Sequence, residues 1–390
     1  MLRRLPLHPT ILLMACAHVM VDGYGNIYAP LLPLLIPRLD LSLAAAGTLT
    51  MLFQLSASVA QVGFGHLADR WNPRMLVMVG PVISVSVLSM IGLATSPLML
   101  AAILVVGGLG GAAFHPPAAA LAHKLSGDRP GLAMSVYITG GTLGFSLGPL
   151  MFAPFAQRFS LEWTPVLALP GLAVIAFFLT RVPPIDVPHD PHGGFSRLRP
   201  YAKPLALLYS VVVLRTMTAI AFSTFVPVML TRRGMSVAAA GAVVALYLFA
   251  SGVGGFFGGA AADRWGPKQV IALSLVAATP FLLVAPLLQG MPFAIVLAIG
   301  GFFLQSTLPV NVMFGQAIAP VSAATVSSLM MGFAWGTGGL SVPLVGLVAD
   351  RIGIERTLLG LAVIPLLAAA CALPLPSRIR HLETRGTIVS

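Results

Sequence analysis

Two charged residues stand alone inside apolar stretches of the sequence, Asp22 in the first and Arg215 in the seventh. An ionisable side chain at the centre of a membrane helix costs roughly 2.5–3.5 kcal/mol even on lenient insertion scales, so it commonly has a function. Asp22 can carry a proton, whereas Arg215 keeps its charge and can bind an anionic group or pair with Asp22. The pair predicts movement of a solute and protons across a bilayer; the alternative is a purely structural ion pair.

Further polar residues surround these two in the sequence. His18 and Asn26 lie one helical turn before and after Asp22, so the three share a face. His18 could relay the proton, since histidine titrates near neutrality, or it could only hold the helix through a fixed hydrogen bond. His115 precedes two prolines, which lack backbone N–H donors and so leave backbone carbonyls without their helical hydrogen bonds. The side chain of His115 could donate to one of these carbonyls, or it could face a cavity. Three further side chains could contact substrate or bond between helices, namely Gln54, Gln305 and Asn311.

The elements that position these residues are membrane-spanning helices. Apolar residues make up 57% of the chain and charged residues 8%, with a mean hydropathy of +0.95, whereas a soluble domain has about 25% charged residues. The sequence predicts an all-α membrane protein, because a β-barrel would show short alternating segments. Twelve windows of about 20 apolar residues recur, near 10–36, 43–66, 75–95, 97–122, 131–156, 162–180, 204–230, 237–261, 268–288, 292–317, 323–348 and 357–375.

The formal net charge of +11 indicates orientation rather than nucleic-acid binding. With the N-terminus inside, 15 of the 22 Lys and Arg residues lie in cytoplasmic segments and six in outer loops. This asymmetry follows the positive-inside rule and predicts a multi-pass protein of a bacterial inner membrane with both termini in the cytoplasm. Two cysteines, both inside predicted spans, predict neither a disulfide nor a metal site.

The chain divides into two predicted bundles of six helices. Residues 181–203 are rich in Pro, Gly and charge, which is typical of a linker. We therefore expect an N-terminal bundle over 1–180, a cytoplasmic linker over 181–203, and a C-terminal bundle over 204–390 with a short cytoplasmic tail. Glycines at helical spacing predict close packing on span 5 and, less regularly, on span 8, at Gly140, Gly144, Gly148, Gly252, Gly255 and Gly259.

The two halves repeat a short charged motif. Residues 65–74 and 259–268 match at six positions with an offset of 194, as expected of a duplicated transporter. In this motif Gly permits close helix approach, Asp can accept from a helix start, and Arg or Lys can pair across an interface. The motif predicts a latch that closes the cytoplasmic side; the alternative is a charged anchor at the membrane edge. The predicted gate comprises Gly65, Asp69, Arg70, Arg74, Gly259, Asp263, Arg264 and Lys268. A third, weaker copy, Gly346 to Arg351, is predicted to lie outside.

These features resemble the major facilitator superfamily and, within it, the fosmidomycin resistance protein group. The resemblance to the group rests on residues 17–22, 30–35, 53–55, 113–116, 131–135, 140–141, 147–150 and 332–340. It implies two pseudo-symmetric six-helix bundles around a central cavity, alternating access, and drug efflux in exchange for protons. The group commonly has an acidic residue directly after Phe-His-Pro; here that position is Pro117, so no role of that carboxylate carries over.

The sequence therefore predicts a proton-coupled secondary transporter that exports small organic molecules. Asp22 and His18 are the predicted coupling residues, and Arg215, His115, Asn26, Gln54, Gln305 and Asn311 are the predicted substrate-binding residues. The same residues would also serve uptake of a small organic anion, and a channel or a membrane-embedded enzyme is less favoured because their motifs are missing. We expect a monomer in the lipid bilayer, with a small-molecule substrate and protons as its ligands and without cofactor, metal or nucleic acid.

Overall fold

The computed structural model describes residues 8–70, 73–126, 130–182, 195–320 and 323–376. All regular secondary structure within these ranges is helical. The middle of the predicted linker, 183–194, lies outside the described residues. The predicted all-α class is confirmed for the described part of the chain.

Twelve described helices are long and apolar enough to cross a membrane, as predicted. We number them as spans 1 to 12 in chain order. Their bounds are Pro9–Leu39, Leu43–Gly65, Pro73–Leu93, Pro97–Lys124, Leu132–Phe159, Leu161–Leu179, Leu198–Arg232, Val237–Trp265, Pro267–Leu287, Gly290–Ile318, Thr325–Ile352 and Ile354–Ala372.

Several spans are interrupted rather than continuous. Span 1 consists of Pro9–Gly25 and Tyr28–Leu39, and span 10 consists of Gly290–Gln305 and Thr307–Ile318. Spans 2 and 11 each contain a π-helical turn, a distortion that is frequent at functional sites. The other segments of interrupted spans are Leu43–Gln54, Leu55–Val59, Ala60–Arg70, Pro73–Ser89, Met90–Leu93, Leu161–Leu167, Ala168–Leu179, Phe195–Tyr201, Ala202–Arg232, Pro267–Val284, Ala285–Leu287, Ala323–Ser328, Leu329–Phe333, Ala334–Gly339, Val342–Ile352, Ile354–Leu361 and Ile364–Ala372.

The chain forms two compact units. Among the described residues, unit 1 comprises those within 8–182, Ser223–Phe249 and Pro343–Asp350, and unit 2 comprises those within 195–222, Ala250–Val342 and 351–376. A buried apolar cluster in unit 1 joins spans 1, 3, 4, 5 and 6. In unit 2 large side chains such as Phe293 and Phe314 are fully buried. The predicted domain bounds at 181–203 stay a prediction.

Glycines bring span 5 close to span 1. Gly140, Gly144 and Gly148 all lie where a Cβ atom would meet the backbone of span 1. A Cβ at Gly144 would lie 2.5 Å from the carbonyl oxygen of Val19, and one at Gly148 would overlap the carbonyl of Gly23. The predicted packing role of the three span 5 glycines is confirmed, and it places span 5 beside the charged residue of span 1.

Close packing on span 8 involves two glycines that were not predicted. A Cβ at Gly254 would overlap the carbonyl of Phe302, and one at Gly258 would overlap that of Ser306. By contrast, no neighbouring group of the described residues lies within 4 Å of a Cβ built on Gly259. Of the predicted glycines, Gly255 makes ordinary contact with span 10, since its Cβ would lie 3.7 Å from the carbonyl oxygen of Gln305. The closest approach therefore falls on the neighbouring stripe, because two glycine stripes one residue apart are equivalent in sequence and only the adjacent span distinguishes them. The predicted set was Gly252, Gly255 and Gly259.

Candidate functional site

Asp22 lies between two histidines in unit 1. Its carboxylate is 3.1 Å from Nε2 of His18 through Oδ2 and 3.3 Å from Nε2 of His115 through Oδ1. His18 and Asp22 come from one face of span 1, and His115 comes from span 4, whose helix continues through both following prolines. We call His18, Asp22 and His115 the acid–histidine cluster. Its first two members are 8% exposed, and the third is partly exposed.

Span 5 supports the cluster from one side. The ring of Tyr137 stacks on the ring of His18, with 4.3 Å between the centroids. The backbone carbonyl of Tyr137 lies 2.8 Å from Nδ1 of His18 and accepts its hydrogen bond. Gly141, one turn further along span 5, lies directly against the contact between His18 and Asp22. The ring of His18 therefore has a fixed orientation.

The cluster can hold a small cation. One ligand atom from each of its members lies within 4.8 Å of the others. Two histidines and a carboxylate are donor types that a divalent metal ion accepts, but here the carboxylate contacts both imidazole rings directly, and we assign no metal ion to the cluster. The same atoms can bind and release protons without any other group, because histidine and a buried carboxylate both exchange protons.

Arg215 lies in a second polar site, in unit 2. Its side chain is 1% exposed. Its Nη1 donates to Oε1 of Gln305, and its guanidinium carbon lies 5.5 Å from the ring centroid of Trp335. A guanidinium is a planar group that can bind a carboxylate or phosphonate through two hydrogen bonds.

Asn311 contributes an unusual buried amide to unit 2. Its side chain is 1% exposed, and neither its nitrogen nor its oxygen has a hydrogen-bond partner among the described residues. A buried amide without partners costs about 1–3 kcal/mol. A bound solute or water that supplies the missing partners would remove this cost.

The remaining predicted substrate residues occupy different surroundings. Asn26 donates from Nδ2 to the backbone carbonyl of Asp22 at 3.1 Å and so completes the end of the helix Pro9–Gly25. Gln54 is partly buried at the last residue before the π-helical turn of span 2. A substrate contact of Asn26 or Gln54 stays a prediction.

The predicted cytoplasmic gate is described only in part. The side chains of Asp69 and Arg70 lie outside the described residues. Gly65 makes ordinary contact with Pro116, at 3.8 Å from a Cβ built on the glycine. Asp263 and Arg264 are exposed, and Arg74 and Lys268 are partly buried. The gate stays a prediction.

The third copy of the charged motif makes a defined contact within unit 1. The carboxylate of Asp350 accepts from the backbone N–H groups of Leu43 and Ala44, each at 2.9 Å, at the start of span 2. Gly346, one turn earlier, packs so closely that a Cβ would overlap the carbonyl of Leu43. A carboxylate at a helix N-terminus satisfies unpaired donors and interacts favourably with the helix dipole.

Sequence reasoning missed several residues that complete these sites. Tyr137 acts through its backbone carbonyl, which every residue type possesses, so no sequence signal indicates it. Trp335 and Gly141 lie in segments that carried the family resemblance, but their roles depend on which span lies next to them. Asp350 lies in a motif that was noted, although its binding partner was not.

Comparison with known proteins places the chain in a group of transporters. The model of the Major Facilitator Superfamily matches residues 14–212 and 207–382. The fosmidomycin resistance protein of Escherichia coli is 29% identical over 90% of this chain and 89% of its own length. A probable nitrate/nitrite transporter of Mycobacterium tuberculosis, NarK2, is 27% identical over 89% of this chain and 90% of its own length.

Solved structures share the fold at low sequence identity. A bacterial homologue of the human lysosomal transporter Spinster, in an inward-facing and unoccupied conformation, superposes with a TM-score of 0.81 at 18% identity, covering 96% of this chain and 97% of its own. The nucleoside transporter NupG has a TM-score of 0.72 at 15% identity, covering 94% of this chain and 98% of its own. The architecture is therefore the two-bundle fold of twelve transmembrane helices that these transporters have.

Proposed function

Because the chain belongs to the Major Facilitator Superfamily and is a membrane transporter rather than an enzyme, we propose that it exports small organic molecules in exchange for protons by alternating access. The observation that supports this proposal most is the acid–histidine cluster. Membrane helices rarely contain a buried carboxylate, and one that contacts two histidines is equipped to bind a proton and release it. The direction of transport is proposed from the name of the relative in Escherichia coli.

The polar site of unit 2 supports an anionic substrate group. The buried guanidinium of Arg215, which contacts Gln305 and Trp335, can bind two oxygens of one carboxylate, phosphonate or phosphate. The amide of Asn311 can add a donor and an acceptor. We propose that these residues bind the substrate.

Uptake of a small organic anion is the second candidate. The buried Arg215 would serve it equally, and the name of the Mycobacterium tuberculosis relative refers to inorganic anions. The two candidates differ in whether substrate and protons move in opposite directions or together.

The test is transport by purified protein in lipid vesicles with an imposed pH gradient, with fosmidomycin as the probe because the relative named above is a fosmidomycin resistance protein. Export in exchange for protons predicts that fosmidomycin accumulates in vesicles whose interior is acidic. Accumulation in vesicles with an alkaline interior would favour uptake instead. Fosmidomycin transport that is unaffected by gradients of either sign would refute proton coupling.

We propose that Asp350 is a latch for alternating access, which requires contacts that hold in one state and release in the other. We expect Asp350→Asn to weaken its contact with span 2, since the amide is uncharged and has only one acceptor oxygen. The reporter is Leu43→Cys, at a position that is 2% exposed, in a background with both native cysteines replaced by serine. Alkylation of this cysteine should be about tenfold faster in the Asp350→Asn variant than in the parent, equivalent to about 1.4 kcal/mol.

The control for the latch is Asp40→Asn in the same background. Asp40 is exposed, precedes span 2 and has a left-handed backbone that asparagine tolerates. The alkylation rate of the control should stay that of the parent. Equal rates in the Asp350 variant and the parent would show that Asp350 is only an anchor.

A further inference from the structure

We propose that the exchanged proton is bound between Nε2 of His18 and the carboxylate of Asp22, and that Tyr137 and Gly141 of span 5 build this proton site as positioning residues. The inference rests on the proposed proton coupling and specifies where the proton lies. It assigns a role to two residues of span 5, one through its backbone and one through its lack of a side chain.

The hydrogen bond of His18 to span 5 determines which ring nitrogen carries a proton. Nδ1 lies 2.8 Å from the backbone carbonyl oxygen of Tyr137. A carbonyl only accepts, so Nδ1 must be the donor and must carry hydrogen. A neutral imidazole has a single N–H group. In neutral His18 with this hydrogen bond, Nε2 would therefore present a lone pair.

The lone pair on Nε2 of His18 would face a lone pair on the carboxylate of Asp22. Nε2 of His18 is 3.1 Å from Oδ2 of Asp22. A deprotonated nitrogen and an ionised carboxylate at this separation repel, because both only accept hydrogen bonds. The contact is favourable once a further proton lies on Nε2 or on the carboxyl group. The observed geometry is thus that of the proton-loaded site.

After loss of this proton, His115 is the remaining hydrogen-bond donor to the carboxylate of Asp22 among the described residues. The ring of His115 can donate from Nε2 to Oδ1 over 3.3 Å whether or not the first contact is protonated. The titratable groups that face the contact among the described residues are His18 and Asp22 from span 1, His115 from span 4 and Tyr137 from span 5. Deprotonation therefore separates His18 from Asp22, whereas His115 retains its bond to the carboxylate.

Gly141 leaves the space in which His18 and Asp22 meet. A Cβ atom built on Gly141 lies 2.5 Å from both Nε2 of His18 and Oδ2 of Asp22. The three heavy atoms nearest to this Cβ all belong to the side chains of His18 and Asp22, so a methyl group there would push these two side-chain ends apart. Gly141→Ala is thus a way to open the proton site without removing a titratable group.

Gly111 of span 4 provides a matched control. A Cβ there would lie 3.5 Å from Cγ1 of Val21 and 3.9 Å from Nε2 of His115, which are ordinary van der Waals contacts. Gly111→Ala therefore adds the same methyl group beside the same cluster without entering the contact between His18 and Asp22.

The experiment compares the wild type with Gly141→Ala and Gly111→Ala in lipid vesicles, using fosmidomycin counter-exchange and gradient-driven transport at several pH values. We expect Gly141→Ala to keep exchange within about twofold. Its gradient-driven transport should fall about tenfold, and the midpoint of its pH profile should move by about one unit. Gly111→Ala should match the wild type. The inference would be overturned if a folded Gly141→Ala protein had the same proton coupling and the same pH profile as the wild type.

A spectroscopic measurement keeps the inference testable if Gly141→Ala does not fold. Nitrogen-15 NMR of histidine-labelled wild type, with His18→Gln to assign the signal, reports the protonation of each ring nitrogen. We expect Nδ1 of His18 to stay protonated while Nε2 exchanges its proton with pH. A neutral His18 with hydrogen on Nε2 would refute the proposed site. Failure of proton coupling itself would appear separately, as wild-type transport that ignores the pH gradient.

Discussion

Asp22→Asn is expected to abolish proton-driven transport while leaving counter-exchange of substrate measurable. Asparagine has the size of the aspartate and can still accept from His115, but it cannot bind a proton in this range of pH. The coupled rate in vesicles with an imposed gradient should fall by about a hundredfold or more, the scale typical of losing a proton-transfer group. Exchange with equal substrate on both sides requires no net proton movement and should persist.

The matched control for this prediction is Asp40→Asn, which makes the same chemical change at an exposed position before span 2. Its coupled transport should equal that of the wild type. Both variants should be compared at equal amounts of folded protein, judged by their thermal unfolding. Full gradient-driven activity in Asp22→Asn would remove this residue from the coupling mechanism.

Arg215→Lys is expected to weaken binding of anionic substrates by about tenfold to a hundredfold. Lysine keeps the charge but replaces a planar fork by a single ammonium group, so the paired hydrogen bonds to a carboxylate or phosphonate are lost. The bond to Gln305 and the contact with Trp335 would also be lost or reoriented. The measurement is the substrate concentration at half-maximal exchange, for an anionic compound and a neutral analogue.

Arg38→Lys is the control for this substitution. Arg38 pairs with Glu162 at an exposed position, where an ion pair contributes little to stability. The affinity for the anionic compound should not change in this variant. Unaltered affinity in Arg215→Lys would leave Arg215 with a structural role only, as would an equal loss for the neutral analogue.

Asp22 and Arg215 each have polar or aromatic neighbours within their own unit. The described contacts of Asp22 are with two histidines in unit 1, and those of Arg215 are with Gln305 and Trp335 in unit 2. An ion pair of Asp22 with Arg215 in some state of the transport cycle stays a prediction.

The sequence by itself determined the elements and part of the first site. Twelve spans follow from hydropathy, because a helix must bury about 20 residues in the bilayer whatever its neighbours are. The approach of His18 to Asp22 follows from their spacing of one helical turn, and the structure has it at 3.1 Å. The glycine stripe of span 5 was also readable, since Gly140, Gly144 and Gly148 share one face.

Only the tertiary structure decided which helices lie side by side. That choice brought His115 to Asp22 and directed the carbonyl of Tyr137 to His18. It also brought Asp350 to the start of span 2 and selected Gly254 and Gly258 as the packing glycines of span 8. The physical reason is that helical periodicity is a property of neighbouring residues, whereas contacts between spans depend on the shape of both surfaces and on backbone groups that all residue types share.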